Sequence, residues 1–151
     1  MNALTLLKND HAEVKALFSQ IEELGDRANA ARKTLFQKID HELTMHAKVE
    51  EKVFYPAFKE RAEDSEEREK VLEAHEEHAI VKNLIRQLED IDPKDESYRP
   101  KLQVLMDLVQ HHIKAEEGTM FKMARELFSK DELETLGEQL EAAKQRMPAA
   151  R

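Results

Sequence analysis

Seven histidines and no cysteine set the terms of any metal chemistry in this chain: a cation here would be held by imidazole nitrogen and carboxylate oxygen, not by thiolate. Two histidines open a His-x-x-x-Glu pair, His46 with Glu50 and His112 with Glu116. Residues four apart on a helix lie one turn apart on one face, so each pair reaches a single small volume and can clamp a cation. Two further histidines sit on apolar stripes at helical spacing. One stripe reads His11-x-x-Val14-x-x-Leu17-Phe18-x-x-Ile21, the other His78-x-x-Val81-x-x-Leu84-Ile85-x-x-Leu88.

A lone interior histidine is more often a hydrogen-bonded core residue than a ligand. Four in register beside two interior carboxylates are a different case, because a bare buried carboxylate costs several kcal/mol or more unless it is paired, neutral or metal-bound. Four nitrogens and two carboxylates fit two ions better than one. A carboxylate on each of two helices bridges two cations and offsets their repulsion, while the imidazoles complete each shell and leave positions for a small ligand. Iron, manganese and zinc all suit these donors.

The elements that must position these residues are helices. Apolar residues make up 40% and charged residues 37% of the 151 residues, with three glycines and no tryptophan, the composition of charged-surfaced amphipathic helices. The length fits one domain over residues 1–151. A first helix carries Leu4, Leu7, His11, Val14, Phe18 and Ile21 inward and stops near Gly25. A second runs from about Ala28 with Phe36, Ile39, Leu43, His46, Glu50 and Val53 inward, and Pro56 should end or kink it. Asp64 or Ser65 can cap a third, which Asp92-Pro93 closes. Pro100 suits the first turn of a fourth, with Leu105, Leu108, His112, Glu116, Met120 and Met123 inward. Ser129 and Glu132 form a capping box for a fifth, over about 130–146, with Leu133, Leu136 and Leu140 on one face. The expectation is all-α: an antiparallel up-down four-helix bundle over about 4–128 with an additional C-terminal packing helix. The two hairpins are near copies, because the lone histidine precedes the His/Glu pair by almost the same stretch in each half.

The ordered set of a lone His11, His46/Glu50, a lone His78 and His112/Glu116 resembles the hemerythrin-like family with its His-His-Glu cation-binding pattern. The stretch Glu50-Glu51-Lys52-Val53-Phe54-Tyr55-Pro56 is similar to that family as well. The resemblance implies an oxo- or hydroxo-bridged pair of iron ions held by His11, His46, Glu50, His78, His112 and Glu116, with Glu50 and Glu116 as bridges. It implies dioxygen, peroxide or nitric oxide as small ligands, and iron binding, sensing or peroxide handling as often as oxygen carriage. The respiratory carriers have a His-x-x-x-His on the third helix and a His-x-x-x-x-Asp on the fourth. This chain has His75-x-x-His78 and His112-x-x-x-Glu116-Glu117 instead, so the seventh ligand is a choice among His75, Glu117 and water.

Bland readings hold elsewhere. His41, turned about 140° from His46, reads as a surface residue, and His111, turned about 100° from His112, as a surface residue or one supporting the ligands from behind. Glu51 and Glu117 read as rim residues paired with lysines, Glu117 being the runner-up ligand, and Met106, Met120 and Met123 as core filler. No Glu stands three residues before any histidine, which removes the Glu-x-x-His pairs of ferritin-like bundles. His75-Glu76-Glu77-His78 is one residue short of a zinc-protease His-Glu-x-x-His, and no phosphate-binding glycine loop occurs. A net charge of −8 without a basic block disfavours nucleic acid. With no leader pattern or long apolar run, the expected setting is cytoplasmic, away from membranes, as a monomer or homodimer.

Overall fold

The computed structural model describes residues 1–147; residues 148–151, which the expectation of one domain over 1–151 included, lie outside the described residues. Five helical rods make up the described residues. They are α1 (Ala3–Glu22); α2 (Asn29–Val49) running through a π-helical turn (Glu50–Phe54) into α3 (Tyr55–Arg61); α4 (Ser65–Glu89); α5 (Tyr98–Ala115) running through a second π turn (Glu116–Met120) into α6 (Phe121–Leu127); and α7 (Lys130–Gln145). Pro56 therefore neither ends nor breaks the second rod. It sits in the first turn of α3, where a proline lacking its N–H is tolerated, and the π turn before it absorbs the change of register.

Local chemistry sets the rod ends. Asn2 caps α1 by accepting from the Thr5 N–H at 2.9 Å. Asp64 with Glu67 and Ser129 with Glu132 form reciprocal capping boxes at the starts of α4 and α7, each worth about 1 kcal/mol.

Two apolar clusters show how the rods run. One joins Leu4 and Leu7 of α1, Phe54 and Phe58 at the far end of the second rod, Val71 of α4, and Phe121 and Phe128 of the fourth. The other joins Phe18 and Ile21 of α1, Phe36 and Ile39 at the start of α2, Ile85 and Leu88 at the end of α4, and Leu102 and Leu105 of α5. Each cluster thus takes the start of one rod and the end of the next, so the four rods alternate up and down around one axis. The histidines and glutamates occupy the layer between the clusters. Phe58, wholly buried, illustrates the energetics: its truncation to alanine would cost about 3–5 kcal/mol.

The fifth rod, α7, lies against α1 with Leu133, Leu136 and Leu140 in the first cluster. Gly137 permits that approach, because a Cβ there would run into the carbonyl oxygen of Met1. No helix among the described residues is long and apolar enough to cross a membrane.

Candidate metal centre

All six donors expected from the sequence meet in the middle layer. His11, His46, Glu50 and Glu116 offer ligand atoms within 4.8 Å of one another, and Glu50, His78 and His112 form a second such group. The two glutamates lie between the imidazoles. Oε1 of Glu50 is 3.0 Å from Nε2 of His46 and 3.3 Å from Nε2 of His78. Glu116 places Oε1 at 3.2 Å from Nε2 of His11 and Oε2 at 3.3 Å from Nε2 of His112. Each glutamate is the first residue of a π turn. These wide turns, rare and concentrated at functional sites, open the helix where two adjacent acids must both face inward neighbours.

The outer nitrogen of every one of these imidazoles is held by a carboxylate. Nδ1 of His11 lies 2.6 Å from Glu117, that of His46 2.9 Å from Asp10, that of His78 3.0 Å from Glu51 and that of His112 2.9 Å from Glu77. A carboxylate can only accept, so Nδ1 carries the proton in each ring and Nε2 faces the centre. Such carboxylate partners fix ring orientation and raise ligand basicity. The arrangement obeys the twofold pattern of the sequence. The acid just before each lone histidine, Asp10 or Glu77, serves the histidine of its own hairpin, and the acid just after each inner glutamate, Glu51 or Glu117, serves the lone histidine of the other.

Two differences break that symmetry. Tyr55 stands where the other half has Phe121. The Tyr55 hydroxyl donates to Oε2 of Glu116 at 2.7 Å and lies 3.2 Å from Nε2 of His78, whereas Phe121 stacks on His11 with ring centroids 6.1 Å apart. Asp10, unlike Glu77, also binds the Lys144 ammonium of α7.

Electrostatics follow from crowding acids and imidazoles in a buried layer. Burial alone would lower the pKa of His46, but the Glu50 charge and the Asp10 hydrogen bond push it up to about 10. Burial opposes charging of His112 as well, and Glu116 raises it to about 9. His78 is raised, against its burial, by Glu50. Burial would raise Glu116, yet His11 and His112 hold it well below the usual carboxylate range. Burial beside Glu50 and Glu116 lifts the Tyr55 phenol well above its ordinary value, so it is a neutral donor.

The donor set fits a bound cation. Both oxygens of Glu50, Oε1 of Glu116 and Nε2 of His112 are buried with no hydrogen-bond partner, since their close approaches are poorly angled for one. Orphaned polar atoms of this kind cost about 1–3 kcal/mol each unless something completes them, and cations bound at the two donor groups would complete all four.

Neither candidate for a seventh ligand joins the centre. His75 is exposed; its Nδ1 lies 4.0 Å from Glu51 and its ring packs against the edge of Tyr55, because a residue three positions before His78 points past the bundle's middle. Glu117 turns outward to His11. Glu51, expected to pair with lysines, pairs with His78. Asp10 and Glu77 escaped the reading of the sequence, although the repeated dyads Asp10-His11 and Glu77-His78 were a signal that could have found them. His111 is exposed, as expected.

The hemerythrin HHE cation-binding domain model matches residues 2–124. The chain belongs to that family. A crystal structure of a hemerythrin HHE cation-binding domain-containing protein from Mycobacterium kansasii is similar over 97% of this chain and 86% of that one, with a TM-score of 0.82 and 26% identity. A protein of Nostoc sp. named DNA nickase is 27% identical over 147 residues, which are 97% of this chain and 40% of that protein. The chain thus spans well under half the length of that relative. Family and geometry together assign metal binding to this HHE domain.

Proposed function

We propose that this HHE domain holds two iron ions, one at His11, His46, Glu50 and Glu116 and one at His78, His112 and the same two glutamates, and binds dioxygen, peroxide or nitric oxide there. The observation that carries the reading is the pair of inner glutamates, each within 3.3 Å of imidazoles on two different rods, with every outer imidazole nitrogen held by an acid. An iron pair would supply open coordination positions and redox electrons at the centre. The chain's own residues orient the imidazoles through Asp10, Glu51, Glu77 and Glu117 and present the Tyr55 proton at Oε2 of Glu116. Iron and optical analysis of aerobically purified protein tests this: about two irons per chain with near-ultraviolet bands of a bridged diferric pair are expected. Zinc alone after iron-rich expression would sink it.

A second reading, decomposition of peroxide, is favoured by Tyr55, whose hydroxyl places a proton donor beside the centre on one side only. Oxygen release from added peroxide, lost in His46→Ala, distinguishes turnover from passive binding. The nicking of DNA named for the longer Nostoc relative, of which this chain matches 40%, is not carried over to this reading, because a net charge of −8 disfavours a nucleic-acid partner.

A further inference from the structure

Between α2 and α4 the bundle is parted by a cavity of about 440 Å³, and the rings of His11, His46, His78 and His112 form part of its lining. A water-sized group takes about 30 Å³, so two cations and a diatomic molecule account for a small part of that space. Val14, Leu43, Val81, Ile85, Val109 and Ile113 form an apolar part of the wall, and charged side chains of α2 and α4 line much of the rest. Size and lining match pockets that enclose organic molecules, which run to about 300–1,000 Å³ and are mostly hydrophobic with a few placed polar groups.

The polar groups at this cavity are unevenly engaged. Glu51 is bound to His78, and Asp40 accepts the Thr44 hydroxyl at 3.0 Å. One turn from the Glu51 and His78 pair, α2 contributes Lys48 and α4 contributes Lys82 to the same cavity. The salt bridges among the described residues engage neither ammonium. Arg86 lies one turn further along, with Glu89 on its own helix. Of the lining acids, Glu51 is engaged with His78 and Asp40 with Thr44, so two ammonium groups without a salt bridge beside an apolar wall are complementary to an anionic head on an apolar body.

We propose that this cavity binds a small organic carboxylate, its head between Lys48 and Lys82 and its apolar body against Val81 and Ile85, beside the metal centre. The proposal rests on the reading of the centre given above only for what the body meets among the histidines; binding itself is a property of the cavity and the lysines.

Sodium octanoate is the probe, with octanol as the uncharged control, titrated calorimetrically into the full chain in metal-free and iron-loaded forms. Saturable binding of one octanoate per chain is expected, and octanol should bind at least about fivefold more weakly. Replacing both lysines by glutamine (Lys48→Gln with Lys82→Gln) should weaken octanoate by about five- to tenfold and leave octanol unchanged. Val81→Trp, at a half-buried position, should abolish binding of both by filling the chamber, and Ala79→Trp on the exposed side provides a second filling variant if the first misfolds. Iron content should stay at the parent level in the lysine variant. Failure of octanoate to saturate either form, or binding indifferent to both the lysine pair and the filling variants, overturns the proposal. Octanoate bound by a chain that takes up no iron would leave this proposal standing and remove the metal reading; iron retained with no octanoate bound would do the reverse.

Discussion

Asp10 accepts the Nδ1–H of His46 at 2.9 Å and, on its other oxygen, binds Lys144 from the last helix. The metal centre is therefore connected to α7 through two side chains. Losing a carboxylate that orients a ligating histidine typically costs about 10–100-fold in metal affinity. Asp10→Asn keeps the shape and an acceptor but removes the charge, so iron affinity, measured by competition with a chelator, should fall by about tenfold or more. Helical content should not change. Unaltered affinity would mean that Asp10 only anchors α7.

Metal uptake by this chain should depend on pH in one direction. In the metal-free fold the Glu50 and Asp10 contacts outweigh burial and raise His46 to about 10, and Glu116 raises His112 to about 9, against an ordinary 6.5. Raised values mean stability that is complete below 6.5 and lost as pH climbs through about 9 and then 10. A cation must displace those same protons, so its apparent affinity should rise by about tenfold per pH unit for each proton displaced. Titration with zinc in weak buffer near neutrality should release protons; uptake without proton release would show that the imidazoles start out neutral.

Two glycines should respond oppositely to the same substitution. A methyl at Gly137 meets the Met1 carbonyl, which is backbone and cannot swing aside, so Gly137→Ala should lower stability by about 1–3 kcal/mol and loosen α7 from α1. Gly118, exposed in the second π turn, has nothing within 4 Å of an added Cβ and no positive φ, so Gly118→Ala should be neutral or stabilising by up to about 1 kcal/mol. Chemical denaturation of both variants checks the pair. Equal effects would contradict the close packing of α7 on the first helix.

The clustering of the inner histidines and glutamates was legible because His46 with Glu50, and His112 with Glu116, repeat at the helix's own period, and periodicity survives in a sequence without any knowledge of neighbours. The rods and their caps were legible for the same local reason: Asp64 with Glu67 and Ser129 with Glu132 act within one turn. What could not be read locally was which imidazole an outer acid serves. Glu51 and Glu117 look like rim residues until another rod brings His78 and His11 against them. The π turns were missed because they depart from the period on which the reading relied. His75 fell outside the centre because a three-residue offset on an ordinary stretch of helix turns it past the axis, with no π turn on α4 to bring it back.

Tyr55 is the residue by which the two halves of the centre differ most in chemistry. Its hydroxyl donates to Glu116 at 2.7 Å while burial and the two glutamates keep the phenol protonated, so it stands as a proton donor at the His78 and His112 side. Phe121, its counterpart, offers His11 a stacked ring and no proton. Tyr55→Phe deletes the donor and preserves the packing against Phe54 and His75. Iron content should therefore hold at two per chain under the proposed reading, whereas peroxide turnover should drop by about 10²-fold, the scale of a lost general acid. Parallel measurement of bound iron and oxygen evolution separates the alternatives. Iron lost along with turnover would make Tyr55 part of what holds the metal, and turnover unchanged with iron intact would assign the proton to solvent entering from the cavity between α2 and α4.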